Sequence, residues 1–451
     1  MDLRECFLDH GSHTYAKLAK KRRMDDKQQL AGLRARIAEI DSKYAYGPPR
    51  AFSPRASSTS GATALRHIEN WLGGEVVETP LGHHFETEKL YEQHRRHGCA
   101  DIGVLAELPH NIFDALSDGN IPFSAPHEWA FLDTETTGIR GDAGTCAFLV
   151  GVGRITREGF RVRQFFMREY AEEASLLDSL ARHLESFRVM ITYNGRAYDQ
   201  PLLETRYRLR RCRPPFAVLK HLDLLHGARR LWKLRFESCR LVDLENQILG
   251  VERQGDLPGA LIPYVYFEYL RTREAARLLP LFQHNAIDIL SLACLTGIVP
   301  SAFRDPTSFP LSHGAEMAGV ARWLTDSGEL ERARLLLRRA VGSVITDNLL
   351  FRTLWDLALL ERKLGAHDAA VGIWNDLAAA RNPFRVRALE ELAKDCEHRS
   401  NNCCQALAFT RAARDLADSP ELRRREARLI GRLSRNANKR KKSDHCVTVE
   451  S

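Results

Sequence analysis

Two acidic residues, Asp133 and Glu135, lie two positions apart at the end of an apolar run and are followed by the turn residue Gly138. Side chains alternate across a β-strand, so residues two apart share a face and their carboxylates lie close together. Neighbouring carboxylates repel each other, and burial strengthens the repulsion. A divalent cation offsets it, and an all-oxygen ligand set favours Mg²⁺ or Mn²⁺ over zinc. The alternative is an exposed, acidic strand end without a metal.

A third carboxylate, that of Asp199, follows another expected strand. Residues 189–193 form a short apolar run, Asn194 and Gly195 provide a turn, and Asp199 begins the next helical pattern. A carboxylate at the start of a helix is commonly an N-cap, and that role alone would explain the residue. A place beside the first two carboxylates is the other interpretation.

The segment from residue 280 to residue 295 adds a histidine and a fourth carboxylate. His284 and Asp288 are four residues apart and lie on one face of an apolar helical pattern. An ion pair between them would explain their presence, yet both groups need a partner that repays their desolvation. A metal centre shared with the other carboxylates would provide that partner.

Three motifs occur in the order found in the DEDD (DnaQ-like) exonucleases, and the chain resembles that family in them: Asp133-x-Glu135, Asn194-Gly195-x-x-Tyr198-Asp199 and His284-x-x-x-Asp288. The similarity is closer to the bacterial YprB/MrfB-like group, which has an RNase H-like exonuclease domain and a helical tail of TPR type. Further stretches fit that group: 144–151, 221–226 and 256–259. The third motif departs from the wider superfamily, because it combines the histidine of one class with the four-residue spacing of the tyrosine-containing class.

The resemblance implies a metal-dependent 3′-to-5′ exonuclease that hydrolyses DNA with two Mg²⁺ or Mn²⁺ ions in DNA repair. It assigns Asp133, Glu135 and Asp288 as metal ligands. Asp199 would hold the second ion directly or through water, and His284 would be the general base. The family's association with a superfamily-two helicase implies that the C-terminal helices recruit such a partner. An RNA exonuclease and a non-catalytic nucleic-acid-binding scaffold are the alternatives.

Positive charge is concentrated just after the Asp199 motif. Residues 204–240 contain eleven arginines or lysines and three acidic residues, a net +8 that equals the excess of the whole chain. A basic rim beside an acidic metal centre suits a polyanionic substrate, because phosphate binding releases counterions. A solvated helical surface is the alternative. We expect five residues near the centre to contact nucleic acid: Thr134, Asn194, Arg208, Arg210 and Arg211. Asp223 is a weaker site candidate with a structural role as its alternative.

Length and composition predict a large protein of the cytoplasm. The chain has 451 residues and is 44% hydrophobic, which suggests two or three domains with substantial cores. Without a long apolar run or a signal-peptide pattern, we expect no association with a membrane. The ten cysteines lack C-x-x-C spacing, so neither a zinc module nor a disulfide framework is indicated.

The elements that would position these residues form an α/β pattern followed by helices. Strand signals occur in five segments: 129–133, 146–154, 160–166, 189–193 and 219–224. Helical patterns lie between them: 171–187 and 201–211. This order predicts a mixed five-stranded sheet with flanking helices, which the resemblance identifies as RNase H-like. After Gly314, turn-and-helix motifs recur with nearly the TPR period of about 34 residues and predict an all-α domain of TPR-like repeats.

The expected organisation has four parts: a charged arm and Pro/Ser-rich linker at 1–62, an exonuclease domain at 63–300 with its core at 126–300, TPR-like repeats at 315–432, and a basic disordered tail at 433–451. The apolar stripes of the repeats form either an inter-repeat core or a groove for a partner.

Overall fold

The computed structural model describes four stretches of the chain: residues 68–117, 119–138, 144–253 and 255–447, with side chains described as far as residue 436. The predicted N-terminal arm and linker lie outside the described residues. Of the predicted basic tail, only the backbone to residue 447 and the first few side chains are described.

Among the residues described, a mixed sheet of seven strands positions the candidate residues. Its strands are β1 (Gly74–Thr79), β2 (Gly82–Glu92), β5 (Trp129–Thr136), β6 (Ala147–Thr156), β7 (Gly159–Phe166), β8 (Val189–Thr192) and β9 (Lys220–Asp223). Strands β3 (Arg96–His97) and β4 (Ala100–Asp101) form a separate two-stranded sheet. The order across the sheet is β1-β2-β7-β6-β5-β8-β9. Strands β5, β8 and β9 run parallel, and the other neighbours are antiparallel.

All five predicted strands form, and the predicted fold class is confirmed, but two further strands extend the sheet to seven. Strand β2 pairs with β7 along eight residues, from Phe85 opposite Phe166 to Glu92 opposite Gly159. The sequence did not indicate β2 because polar His84 and Glu86 occupy buried positions, so the alternation of apolar and polar residues is interrupted.

In the part of the chain that the structure describes, seven α-helices accompany the sheet: α1 (Asp114–Ser117), α2 (Glu173–Leu184), α3 (Asp199–Leu209), α4 (Leu224–Trp232), α5 (Leu241–Leu244), α6 (Ile262–Thr272) and α7 (Leu279–Arg304). Helix α7 packs directly on β5, β6 and β7. Glycine is required beneath it, because a Cβ at Gly151 would lie 2.2 Å from Oδ1 of Asn285 and one at Gly153 would lie 2.6 Å from Cγ2 of Ile289. This close approach brings the α7 side chains to the carboxylates of β5.

Within the described part of the chain, one segment is long and apolar enough to pass a composition test for a membrane span. It runs from Ala275 to Arg304 and includes α7, and its most apolar window has a mean hydropathy of 1.8. However, 72% of its most apolar window is buried inside the protein. The segment is therefore accounted for as the central helix against the sheet.

The C-terminal region is helical, as the sequence predicts: α8 (Gly314–Asp326), α9 (Leu330–Val341), α10 (Asp347–Lys363), α11 (His367–Ala379), α12 (Arg385–His398), α13 (Cys403–Leu416) and α14 (Pro420–Val447). Helix α8 shares a hydrophobic core with α7, since the rings of Phe303 and Trp323 meet edge to face at 5.0 Å. Glu316 of α8 accepts hydrogen bonds from Trp232 at 3.1 Å and Arg235 at 2.6 Å. The first C-terminal helices thus pack as part of the sheet domain's core.

Candidate metal centre

Asp133 and Glu135 project from the same face of β5 towards α7. The side-chain amide of Asn285 donates to Oδ2 of Asp133 at 2.8 Å and to its carbonyl oxygen at 3.3 Å. Burial, followed by the negative charges of Asp288 and Asp199, raises the pKa of Asp133 well above its usual range. Burial and then Asp133 have the same effect on the pKa of Glu135, whose surface is only 8% exposed. The carboxylates therefore lie close enough to repel one another, as the D-x-E spacing predicts.

Asp199 joins this group from the start of α3. Tyr198 occupies the N-cap position of α3, so Asp199 is the first helical residue and not the cap. The hydroxyl of Thr134, between the two β5 carboxylates, donates a hydrogen bond to Oδ1 of Asp199. Burial raises the pKa of Asp199 to about 6. Thr134, which we expected to contact substrate, orients a carboxylate of the centre in this structure.

His284 and Asp288 reach the centre from α7. Nε2 of His284 lies 3.5 Å from Oδ2 of Asp288, and Nδ1 lies 2.7 Å from Oδ1 of Asp256. Burial alone would lower the pKa of His284, but the contacts with Asp256 and Asp288 outweigh it and raise that pKa. Burial raises the pKa of Asp288. Single ligand atoms of Glu135, His284 and Asp288 lie within 4.8 Å of one another.

Three further residues complete the surroundings and were not anticipated from the sequence. Arg253 is buried against Asp288, Asp256 and Glu245, with which its guanidinium forms ion pairs. Glu245 lies in a π turn (Glu245–Leu249), and Arg253 and Asp256 lie in the irregular segment after it. No hydrophobic periodicity indicates the direction of a side chain there. The resemblance of residues 256–259 was the one sequence signal for this segment.

Asp223 has a structural role, which was the alternative to a place in the site. Its carboxylate accepts the backbone N–H groups of Asn194 at 2.8 Å, Arg196 at 3.2 Å and Leu225 at 3.1 Å. The turn that it holds includes Asn194 in the left-handed region with φ of 68°. Asp223 therefore fixes the turn that leads into Asp199 and caps the following helix, α4.

The three arginines expected to bind substrate lie at the far end of α3 from Asp199. Arg208 pairs with Glu204 at 2.7 Å and remains largely exposed. Arg210 pairs at 2.7 Å with Glu173, whose side chain is only 3% exposed. Arg211 follows α3 in the left-handed region with φ of 58°. Arg210 thus has a structural partner already, and substrate contact by all three residues stays a prediction.

The donor set fits a divalent cation. Four half-buried or buried carboxylates converge. Burial is the largest cause of their raised pKa values, and for Asp133 and Glu135 the negative charges of the neighbouring carboxylates add to it. Asp133, Glu135, Asp199 and Asp288 supply the oxygen ligands that Mg²⁺ and Mn²⁺ prefer. His284 adds a nitrogen beside them, either as a ligand or as a base.

Comparisons with known proteins agree with this geometry. The sequence-family model of the RNase H superfamily matches residues 130–299 of this chain, and every carboxylate of the centre lies in that range. The Bacillus subtilis (strain 168) protein named "Uncharacterized protein YprB" is 34% identical over 298 residues, which are 66% of this chain and 71% of that relative. The 298 aligned residues outnumber those of the range 130–299, so the similarity to this relative extends beyond the matched RNase H region.

Proposed function

The chain belongs to the RNase H superfamily, in the family of YprB, and on this premise we propose that it is a metal-dependent 3′-to-5′ exonuclease that degrades DNA. The superfamily and the acidic centre indicate a nuclease that hydrolyses phosphodiester bonds. One observation carries the proposal: three segments far apart in the sequence place four carboxylates within electrostatic reach of one another, and His284 lies beside Glu135 and Asp288.

The side chains have distinct roles in this proposal. Asp133, Glu135 and Asp288 hold divalent cations, and Asp199 holds a second cation directly or through water. Two such ions would stabilise the charge on the attacking and leaving oxygens of an in-line displacement. Asn285 and Thr134 keep Asp133 and Asp199 in position through their hydrogen bonds.

His284 is the proposed general base. Asp256 holds Nδ1 at 2.7 Å, which leaves Nε2 directed towards Asp288 and the centre. An imidazole oriented in this way by a carboxylate can accept the proton of an attacking water at Nε2. The i,i+4 spacing of His284 and Asp288 places both side chains on one face of α7, so the unusual spacing is compatible with this role.

The substrate would be a polyanion that approaches past the basic segment of residues 204–240. Arg208 and Arg211 are exposed there, while Arg210 is held by Glu173. We propose DNA as the substrate, with Thr134 and Asn194 near the reacting end. RNA is the second candidate, because the same carboxylates would act on either polymer.

The C-terminal helices would serve as a partner surface. Consecutive helices from α8 to α13 pack against one another. This arrangement resembles TPR-like repeats, which commonly present a binding groove. We propose that this region recruits a superfamily-two helicase during DNA repair in the cytoplasm. A non-catalytic scaffold is the rival function, and the complete set of carboxylates favours the enzyme.

Digestion of 5′-end-labelled single-stranded DNA tests the reaction and its polarity. We expect a ladder of progressively shorter labelled products, release of nucleoside 5′-monophosphates, and protection by a blocked 3′ end. Matched RNA should be degraded more slowly. Immediate release of the labelled 5′ nucleotide would contradict the polarity, and faster digestion of RNA would contradict the choice of DNA.

A further inference from the structure

Arg253 contacts the acidic centre from a nearly closed environment. Its side chain is 5% exposed. Nε and Nη2 donate to the two oxygens of Glu245 at 2.8 and 2.6 Å, and Nη1 lies 3.3 Å from Oδ2 of Asp256. Nη2 also donates to Oδ1 of Asp288, one of the proposed metal ligands. A single guanidinium therefore bridges three carboxylates.

A buried chain of hydrogen bonds fixes the side of Arg253 that faces away from the centre. Glu245 is fully buried, and the hydroxyl of Ser291 donates to its Oε2 at 2.6 Å. Nε2 of His97 lies 2.7 Å from the same hydroxyl. Glu245 accepts hydrogen bonds from both Ser291 and Arg253, so its position is fixed. The guanidinium of Arg253 is fixed in turn and cannot move together with Asp288.

Arg253 gives the centre a positive charge that does not depend on pH. Six carboxylates surround the site: Asp133, Glu135, Asp199, Glu245, Asp256 and Asp288. Among described residues, Arg253 is the only arginine or lysine within ion-pair distance of Glu245, Asp256 or Asp288. Removing one partner of a buried ion pair leaves an uncompensated charge, which is strongly unfavourable.

We propose that Arg253 is a resident counter-ion of the metal centre. When no divalent cation is bound, its positive charge holds Asp288 in the position of a ligand and keeps the acidic residues together. When a cation is bound, the guanidinium and the cation share Asp288 and repel each other. Arg253 is thus a positioning residue that secures the metal-free fold and weakens metal binding.

Two consequences distinguish this role from ordinary structural support. A neutral residue at position 253 should make folding depend on the cation, because the cation then supplies the missing positive charge. The same change should tighten cation binding, since the repulsion between like charges is removed. A residue with structural importance alone would lower stability equally with and without the cation.

The experiment compares wild-type protein with Arg253→Gln and Arg253→Lys, using Mn²⁺ as the probe. Thermal unfolding is followed by circular dichroism in EDTA and in saturating Mn²⁺, and free Mn²⁺ is measured by electron paramagnetic resonance. Arg168→Gln is the matched control, because Arg168 is 19% exposed and forms a buried ion pair with Glu172 outside the centre.

We expect Arg253→Gln to lose thermal stability in EDTA and to regain most of it in Mn²⁺, with a Kd for Mn²⁺ lowered about tenfold. Arg253→Lys keeps the charge and should bind Mn²⁺ as wild type does. Arg168→Gln should lose equal stability in both conditions. If Arg253→Gln is unfolded in EDTA, Mn²⁺ should restore its circular dichroism spectrum.

The proposal is overturned if Arg253→Gln binds Mn²⁺ as weakly as wild type or more weakly, or if Mn²⁺ fails to restore its fold. It is also overturned if Arg253→Lys shows the same tightening as Arg253→Gln. The inference rests on the metal centre proposed above, and its failure is separable from failure of that centre. Wild-type protein that binds no Mn²⁺ would refute the centre itself.

Discussion

Four carboxylates that share one small volume must be offset by protons or cations. Burial is the largest cause of the raised pKa of Asp133, Glu135, Asp199 and Asp288, and their mutual repulsion adds to it for Asp133 and Glu135. Arg253 and His284 supply part of the opposing charge. At the scale of single residues, the protein therefore retains an unfavourable charge arrangement that a divalent cation relieves.

His284→Gln is the variant that tests the proposed base. Glutamine keeps a hydrogen-bonding side chain but cannot accept a proton, so we expect kcat to fall by about 10² to 10⁴ with little change in KM. Steady-state hydrolysis of a short DNA oligonucleotide measures both constants. Wild-type kcat in a folded variant would show that another group accepts the proton.

Asp256→Asn is the companion variant for the residue that orients His284. Asparagine has nearly the same size as aspartate, so the imidazole of His284 should stay near its position. The negative charge that pairs with Nδ1 of His284 is lost. We expect a smaller loss of kcat, on the order of tenfold. A loss as large as that of His284→Gln would mean that Asp256 takes part more directly.

His183 provides a prediction of pH dependence away from the metal centre. Its ring is packed between Phe165 and Phe187, and burial, followed by the charges of Arg163 and Arg154, lowers its pKa to about 4. A depressed pKa means that its contribution to stability is complete above the ordinary value of about 6.5 and is lost as the pH falls towards 4.

Replacing His183 by phenylalanine should remove that acid sensitivity. Below about pH 4, the wild-type protein should have lost about 3 kcal/mol of unfolding free energy through His183, and the phenylalanine variant should keep it. Urea unfolding of wild type and His183→Phe at several pH values between 7 and 4 measures the difference. Parallel curves for the two proteins would refute the assigned pKa.

The residues of the centre differ in how far they could be predicted. Strand alternation predicted that Asp133 and Glu135 share a face, and helix spacing predicted the same of His284 and Asp288. The place of Asp199 beside them came from the family resemblance. Arg253 and Asp256 were not, because they act from an irregular segment whose direction depends on tertiary packing. Local pattern carries no information about such contacts.

At the scale of elements, the extension of the sheet by β1 and β2 depends on buried polar groups. Glu86 on β2 accepts from Ser179 of α2 at 2.6 Å, contacts His84 at 2.8 Å and forms an ion pair with Arg163. Burial opposes ionisation, but these contacts outweigh it and lower the pKa of Glu86 to about 2. An acidic residue thus occupies a core position, which is why alternation did not predict this strand.

Glu86→Gln should detach part of this extension. The variant leaves Arg163 without its buried partner, and we expect a loss of about 3 kcal/mol in the free energy of unfolding. Glu88→Gln on the same strand is the control, since Glu88 is 42% exposed in its pair with Arg161 and should cost less than about 1 kcal/mol. Equal losses in the two variants, measured by urea unfolding, would contradict the role given to Glu86.

At the scale of the whole molecule, the sheet domain and the first C-terminal helices share one hydrophobic core. Val320 and Leu324 of α8 are fully buried in the same cluster as Phe303 of α7. Composition predicts a domain boundary between residues 300 and 315, because the sequence pattern becomes helical there. Composition does not reveal that α8 packs against α7 across this boundary. Composition thus predicts two domains that fold separately, whereas the shared core predicts that the sheet domain needs α8.

Truncation tests this continuity. We expect a chain ending at residue 314 to aggregate, because it exposes the apolar surface that α8 covers. A chain ending at residue 366 keeps α8, α9 and α10 and should remain soluble and cleave short oligonucleotides as the full chain does. Size-exclusion chromatography and hydrolysis assays compare them. A folded, active chain ending at residue 314 would show that the C-terminal helices are dispensable for the core.

The central claim is that the carboxylates of β5 and α7 hold divalent cations that hydrolysis requires. Its most direct test is hydrolysis of end-labelled DNA by wild-type protein, Asp133→Asn and Asp288→Asn, in Mn²⁺ and in EDTA, with Mn²⁺ binding measured on the same samples. Asp243→Asn is the control, since Asp243 pairs with the exposed Arg240.

We predict that wild type and Asp243→Asn bind Mn²⁺ and degrade DNA only when it is present. Asp133→Asn and Asp288→Asn should remain folded, bind Mn²⁺ weakly, and lose hydrolysis by at least about 10³. Undiminished hydrolysis in EDTA, or in either folded active-site variant, would contradict the account.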